Sequence, residues 1–156
     1  MRRADWAALH RDDLYEIVRL RNRVFALEQR VTAEDFDGRD RDADTEHWWI
    51  TGEDGAAVTY LRLVRPASDE VQPDGVPPAT WVIGRVATDP TARRRGLAHR
   101  LVGAVLAEHG SAPFLLHAQE YVADLYAASG FLRFGTPYVE AGIVHVGMYR
   151  TGAAAG

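Results

Sequence analysis

The 156-residue chain contains no cysteine and no lysine. Without thiols it can form no disulfide, hold no metal through thiolate and use no cysteine nucleophile, and its redox compartment leaves no trace in the sequence. Without lysine, all 18 basic residues are arginine. The lysine-dependent phosphate loop of P-loop NTPases is therefore excluded. A three-glycine dinucleotide fingerprint is missing as well, since its place is held by Gly96 alone. No apolar run is long enough to span a bilayer, and Met1-Arg2-Arg3-Ala4-Asp5-Trp6 lacks the apolar segment of a secretory signal. The expectation is a cytoplasmic protein without a membrane partner. A net charge of −4 and the lack of any basic cluster besides Arg93-Arg94-Arg95 speak against nucleic-acid binding. His47, His109, His117 and His145 fall on separate expected elements, without the close spacing of a zinc site, so no metal is expected. The length suits one domain over residues 1–150, followed by a disordered tail at 151–156.

The apolar periodicity predicts a short strand at 6–9, then a helix over 14–27 opened by the capping box Asp13-x-x-Glu16, with Glu28-Gln29 at its end. Residues 32–44 are polar and acid-rich and read as an irregular loop. Residues 46–51 and 56–64 flank Gly52-Glu53-Asp54-Gly55 as a hairpin, and 66–79 is a proline-rich surface connection. A two-sided strand over 80–88 ends at Asp89-Pro90. Then come an apolar helix from Gly96 to His109, a strand at 113–118, a short helix stopped by Ser129-Gly130, and closing strands at 131–138 and 143–149. This order predicts an α/β (α+β) mixed sheet flanked by helices.

Arg93-Arg94-Arg95-Gly96-Leu97-Ala98, between the strand ending at 88 and the apolar helix, has the composition of an anion cradle. A helix start presents unpaired N–H groups and the positive end of the macrodipole, and Gly96 lets backbone approach a phosphate. An ordinary capped helix with solvated arginines fits the same six residues.

A wider pattern narrows this choice. Val82-Ile83-Gly84-Arg85-Val86-Ala87-Thr88-Asp89-Pro90, then Arg93-x-x-Gly96-x-Ala98, then Leu125-Tyr126…Gly130-Phe131, resembles the GNAT N-acetyltransferase superfamily. Leu20-Arg21-x-x-Val24-Phe25-x-x-Glu28-Gln29, Asp37-Gly38-x-Asp40, His117-Ala118-Gln119 and the segment from Gly142 to Met148 resemble its ElaA-type branch. The resemblance implies a GNAT fold, a mixed central sheet splayed between strands 4 and 5, with acetyl-CoA as co-substrate. It implies that the backbone of Val86, Ala87 and Thr88 pairs with pantetheine amides, and that Arg93, Arg94, Arg95, Gly96, Leu97 and Ala98 hold the pyrophosphate. Gln119 stands where the superfamily commonly has an Asn for the pantetheine arm. Tyr126 falls at the family's tyrosine, the general acid for the departing sulfur and a cofactor contact, while Leu125 replaces the usual Phe.

The acceptor implied is a primary amine: a small molecule, a polyamine or a protein amine. Some relatives carry a carboxylate on strand 4, and none stands there in this chain. Glu28, His47, His117 and His145 are the base candidates, with Glu28 and His145 ahead because they belong to the branch signature. Glu34, Asp35, Asp37, Asp40, Asp42, Asp44 and Glu46 make either a solvated acidic loop or a field that attracts a cationic amine, interrupted by Arg39 and Arg41. A non-catalytic acyl-CoA-binding or sensing module is the alternative. The open sheet edge of such a fold leaves room for a homodimer.

Overall fold

The chain starts with a strand made mostly of arginine. Arg2–Ala4 (β1) pairs antiparallel with the second strand, Arg2 opposite Trp49 and Arg3 opposite Trp48. Both guanidinium groups lie 5.2 Å from the centroids of those rings, contacts that contribute about 0.5–1 kcal/mol each at exposed sites. The strand expected at 6–9 is therefore displaced toward the N-terminus. There Asp5 accepts the Ala8 N–H at 2.8 Å, and the chain turns instead of extending.

The computed structural model describes residues 1–153. Helix α1 spans Arg11–Arg21 and runs on as a π-helical segment, Asn22–Glu28. Its N-cap is His10, whose Nδ1 accepts the Asp12 N–H at 3.3 Å. The capping box expected at Asp13 does not form, because Asp13 is drawn into an ion pair with Arg2, and Glu16 pairs with Arg19 one turn on. The hairpin β2 (Glu46–Thr51) and β3 (Ala57–Val64) follows, then β4 (Trp81–Thr88), α2 (Leu97–Glu108), β5 (Phe114–Gln119), α3 (Ala123–Ala127), β6 (Leu132–Glu140) and β7 (Ile143–Arg150).

Among the described residues seven strands form one mixed sheet in the order β1-β2-β3-β4-β5-β7-β6. Strand alternation divides the core, so that neighbours in sequence serve opposite faces. Trp48, Leu61, Leu63, Ile83 and Leu116 pack with α2 and α3 on one face. Trp49, Tyr60 and Ala87 pack with Ile17, Leu20 and Val24 on the face that carries α1. Helix α2 is held by Leu101, Val102 and Val105, all fully buried, each of which stabilises the fold by roughly 1.5–3 kcal/mol relative to exposure. Strand β6 is an open edge with nearly all its residues exposed.

All pairs are antiparallel except β4 with β5, and that parallel ladder has only three steps, Trp81 with Phe114, Val82 with Leu115 and Ile83 with Leu116. Beyond it the strands diverge, and β4 stays paired with β3 through Thr88. This is the splay expected from the resemblance. A bulge accompanies it: the register on β3 shifts between Tyr60, opposite Ala87, and Arg62, opposite Gly84. Arg85 in the bulge has φ +54°, a left-handed conformation that a side chain adopts only at some cost. Of the tail expected to be disordered, 151–153 is described, with the Ala153 N–H donating to Gly110 O at 2.8 Å; residues 154–156 lie outside the described residues. Among the described residues no helix is long and apolar enough to cross a membrane.

Candidate active site

The turn that opens α2 is built to leave amides exposed. Asp89 accepts the Thr91 N–H at 2.9 Å and the Thr91 hydroxyl at 2.7 Å, closing the short helical turn Pro90–Ala92. Arg93 is then extended, Arg94 has φ +63°, and Gly96, the N-cap of α2, has φ +71°. Successive residues of differing hand turn their N–H groups toward a common point, the geometry of an anion nest. Among the described residues no side chain caps α2, and beyond its chain neighbours none lies within 4 Å of where a Gly96 Cβ would stand. The space above the turn is open, and the positive φ explains the glycine.

This turn faces a cleft of about 1420 Å³ that runs through the gap between β4 and β5. Ordinary small-molecule pockets hold roughly 300–1,000 Å³, so this one has room for a long ligand and a second molecule. Val86 and Thr88 of β4, His117 and Gln119 of β5, and Leu125 and Tyr126 of α3 line it. Arg93, Arg94, Gly96, Leu97 and Ala98 line its end beside this turn. Ala87 does not, since its side chain packs under α1, and neither does Arg95. Arg93 is held at both ends of its guanidinium, its Nε donating to Thr88 O at 3.2 Å and its Nη2 to Glu28 Oε1 at 2.7 Å. Glu28 thus braces the cradle and does not line the cleft.

Two amides bridge the cleft. Gln119 Nε2 donates to Gln29 Oε1 at 2.9 Å, and Gln29 Nε2 donates back to Gln119 Oε1 at 3.3 Å. The Gln119 amide expected to meet a pantetheine arm is satisfied by Gln29, the residue that ends the π-helical segment. Tyr126 packs edge-on to Phe131, with ring centroids 6.2 Å apart. Burial pushes its hydroxyl well above the ordinary value, so it stays protonated through the neutral range.

On the α1 face the acidic loop becomes an ion lattice. Arg21, fully buried, donates to Asp35 at 2.9 Å and to Asp40 at 2.5 Å. Arg62 grips Asp37 with two bonds of 2.8 Å and reaches Asp40 at 3.1 Å, and Arg85 meets Asp35 at 2.7 Å. Three carboxylates expected to be solvated, or to lend a negative field, are thereby neutralised. Glu34 lines the cleft without an ion pair among the described residues.

Burial works to raise the Asp37 carboxyl, but the Arg62 hydrogen bonds and charge, helped by Arg85, outweigh it and hold it at about 2. Asp40 is likewise held low by Arg21 and Arg62 against its own burial. A carboxyl depressed in the folded state contributes stability above its unfolded value, near 3.8, and loses it as pH falls through the folded value. Thermal melts at stepped pH are expected to show Tm falling as pH drops from about 4 toward about 2, and Asp37→Asn should shrink that fall.

The four base candidates part company. His47 is buried, with Nδ1 2.8 Å from the Tyr60 hydroxyl and Nε2 2.9 Å from Asp40 O, and desolvation lowers its affinity for a proton. It braces the ion lattice and does not line the cleft. Glu28 is committed to Arg93. His117 and His145 both line the cleft on the α1 face, where His145 lies opposite Gln119 in the β5–β7 ladder. His145 Nδ1 lies 2.8 Å from Ile143 O, to which its N–H donates. His117 contacts two groups that the sequence did not single out, Glu70 and Tyr138. Glu70 sits in the 66–79 connection, 47 positions from His117, and no local spacing points to it.

A family model for the acetyltransferase (GNAT) domain matches residues 15–151. A UPF0039 protein of Mycobacterium tuberculosis is 38% identical over 140 residues, covering 90% of this chain and 85% of the relative. Protein ElaA of Escherichia coli is 31% identical over 157 residues, covering 94% and 95%. The crystal structure of E. coli ElaA superposes with a TM-score of 0.81 at 29% identity over 96% of this chain and 97% of that one. An acyl-CoA N-acyltransferase from Pseudomonas aeruginosa does so with a TM-score of 0.81 at 33% identity and the same coverage. In motif order, splayed sheet and whole-length likeness alike, this chain belongs to the GNAT acetyltransferase superfamily, in the branch of the ElaA and UPF0039 proteins.

Proposed function

We propose that this chain transfers an acetyl group from acetyl-CoA to a primary amine by direct attack on the thioester. The observation that carries the reading is the break of the β4–β5 ladder after Ile83 and Leu116, which opens one cleft onto both the uncapped start of α2 and Tyr126. Bound there, acetyl-CoA supplies the activated acyl group and a thiolate leaving group.

The protein's residues do the rest. Amides from Gly96 to Ala98, with the Arg93 and Arg94 side chains, bind the pyrophosphate through charge-assisted hydrogen bonds, and Arg95 adds charge at the rim. The backbone of Val86, Ala87 and Thr88 offers the pantetheine arm a strand edge on the side that β5 has left. Gln119 donates to or accepts from the arm once its amide turns from Gln29. Tyr126, buried and protonated, gives the proton that the departing sulfur takes up. The acceptor enters from the α1 face. There the lattice of arginines and aspartates holds the walls rigid, and Glu34 is left to favour an amine over an acid.

Acetyl-CoA at about 100 times its Kd should stabilise the protein by about 2.7 kcal/mol, visible as a rise in Tm. Saturating acetyl-CoA without any shift would remove the proposal. Thiol release measured across polyamines, amino sugars and peptide Nα-amines then tests transfer. Binding with no release from any amine would leave the chain a sensor of acyl-CoA.

A further inference from the structure

The cleft contains a chain of three side chains drawn from three distant parts of the sequence. His117 Nε2 is 2.7 Å from Glu70 Oε1, and His117 Nδ1 is 2.8 Å from the Tyr138 hydroxyl. All three residues line the cleft. The protonation pattern follows from donor chemistry. An ionised carboxylate can only accept, so Nε2 carries the imidazole proton and donates it to Glu70; Nδ1 is then a bare lone pair, and Tyr138 O–H donates to it. His117 is the first β5 residue past the end of the β4 ladder. The Tyr138 oxygen, with its own proton directed into the chain, keeps lone pairs for a molecule in the cleft.

We propose that Glu70, His117 and Tyr138 form the proton relay that accepts the acceptor amine's proton, with Tyr138 touching the amine. The inference rests on the acetyl-transfer reading. As the amine nitrogen bonds to the thioester carbonyl carbon, its N–H proton passes to the Tyr138 oxygen. The Tyr138 proton passes to His117 Nδ1 in the same event, and Glu70 balances the imidazolium. The C–S electron pair leaves with sulfur, which takes its proton from Tyr126. His117 then releases its proton to solvent, Tyr126 is reprotonated from solvent, and the site is restored. Tyr126 belongs to the α2-side core cluster, whereas His117, Tyr138 and His145 are on the α1 side. Acid and relay stand on opposite faces of the sheet, each beside the splay.

The surroundings suit a relay and not a resident tyrosinate. Partial burial, with the nearby charges of Glu140 and Glu70, pushes the Tyr138 hydroxyl up to about 12, so it shuttles a proton without resting as the anion. The hydrogen bond from His117 holds the Glu70 carboxyl below its usual range, and the Arg39 charge contributes to that. His145 stacks on the Tyr138 ring at 5.8 Å, with Glu140 4.0 Å from its Nε2. Asp69 of the same connection also lines the cleft, as does Arg85, whose charge is spent on Asp35 and Asp37. No base on β4 is needed once the proton leaves through β5 and β6.

The test is the pH profile of kcat/KM for acetyl transfer to the best amine found, in the wild type and in H117Q, Y138F, E70Q and H145Q. Acetyl-CoA thermal shifts in each variant report folding and an intact donor site. The wild type is expected to show a limb that reports proton uptake by the relay. H117Q and Y138F should lower kcat about 10²-fold, with KM for acetyl-CoA little changed and that limb lost. E70Q should move the limb to lower pH, because the imidazolium loses its counter-charge, a change that a merely structural pin would not produce. H145Q should keep the limb. A limb and kcat retained in H117Q, or a limb lost in H145Q instead, would overturn the relay. Wild-type protein that neither shifts with acetyl-CoA nor releases thiol would remove the transfer reading itself, a different result from these.

Discussion

Replacing Tyr126 by phenylalanine is expected to lower kcat for acetyl transfer about 10²-fold, within the range that a positioned proton donor contributes, while leaving KM for acetyl-CoA nearly unchanged. The asymmetry comes from what the substitution removes. The ring of Tyr126 fills the α3 side of the core beside Phe131, and phenylalanine keeps that packing. Only the hydroxyl is lost. Because burial keeps it protonated well above neutrality, it donates across the whole working pH range, and its loss should scale the profile down without moving its limbs. The measurement is kcat at saturating substrates, with a single-turnover experiment to confirm that chemistry limits the rate. An unchanged kcat under those conditions would rule out the acid role and leave Tyr126 as packing.

The largest loss of stability is expected at Arg21. Its side chain is 2% exposed and satisfies Asp35 and Asp40 together, under the rings of Phe36 and Tyr60. Arg21→Met matches its bulk but leaves two carboxylates without their principal cation, one of them buried. Breaking a buried pair by removing one partner costs about 3–5 kcal/mol, which for a chain of this length is a fall in Tm of roughly 6–20 °C. A double variant, Arg21→Met with Asp40→Asn, should recover part of the loss, since the stranded charge goes with it. Additive losses in calorimetry would mean that the two side chains do not act as a pair. Asp35, Asp37, Arg62 and Arg85 of the same lattice line the cleft, and with the amine entering there as proposed, the single variant should raise KM for the amine more than KM for acetyl-CoA.

Long periodic segments could be read from the sequence alone. The apolar stripe of Leu101, Val102 and Val105 specified α2, and the β-branched run before Asp89-Pro90 specified β4. Where a strand depends on its partner, the reading failed: β1 is Arg-Arg-Ala, and its strand character lies in the tryptophans of β2. The cap of α1 was misplaced for a similar reason, since Asp13 has a stronger use with Arg2. Of the candidate site, the placement of Arg93, Arg94, Gly96, Leu97, Ala98 and Tyr126 at one cleft was legible because each belongs to a local motif. Gln119 was placed at the cleft, but its partner Gln29, 90 positions away, was not. The acidic loop misled, because the arginines that neutralise Asp35, Asp37 and Asp40 come from α1, β3 and β4.

By itself, then, the sequence determined the class of fold and the family, both of which rest on periodicity and on motifs a few residues long. Tertiary structure alone decided which charges cancel, which amides meet across the cleft and which histidine joins groups from distant parts of the chain. His47, His117 and His145 look alike as isolated histidines on strands. One is sealed beneath Tyr60 and Asp40, one bonds the carbonyl two residues before it, and one joins Glu70 to Tyr138. Hydrogen bonds and ion pairs act over about 3 Å in space, and no spacing along the chain encodes which distant residues the sheet will bring within that reach.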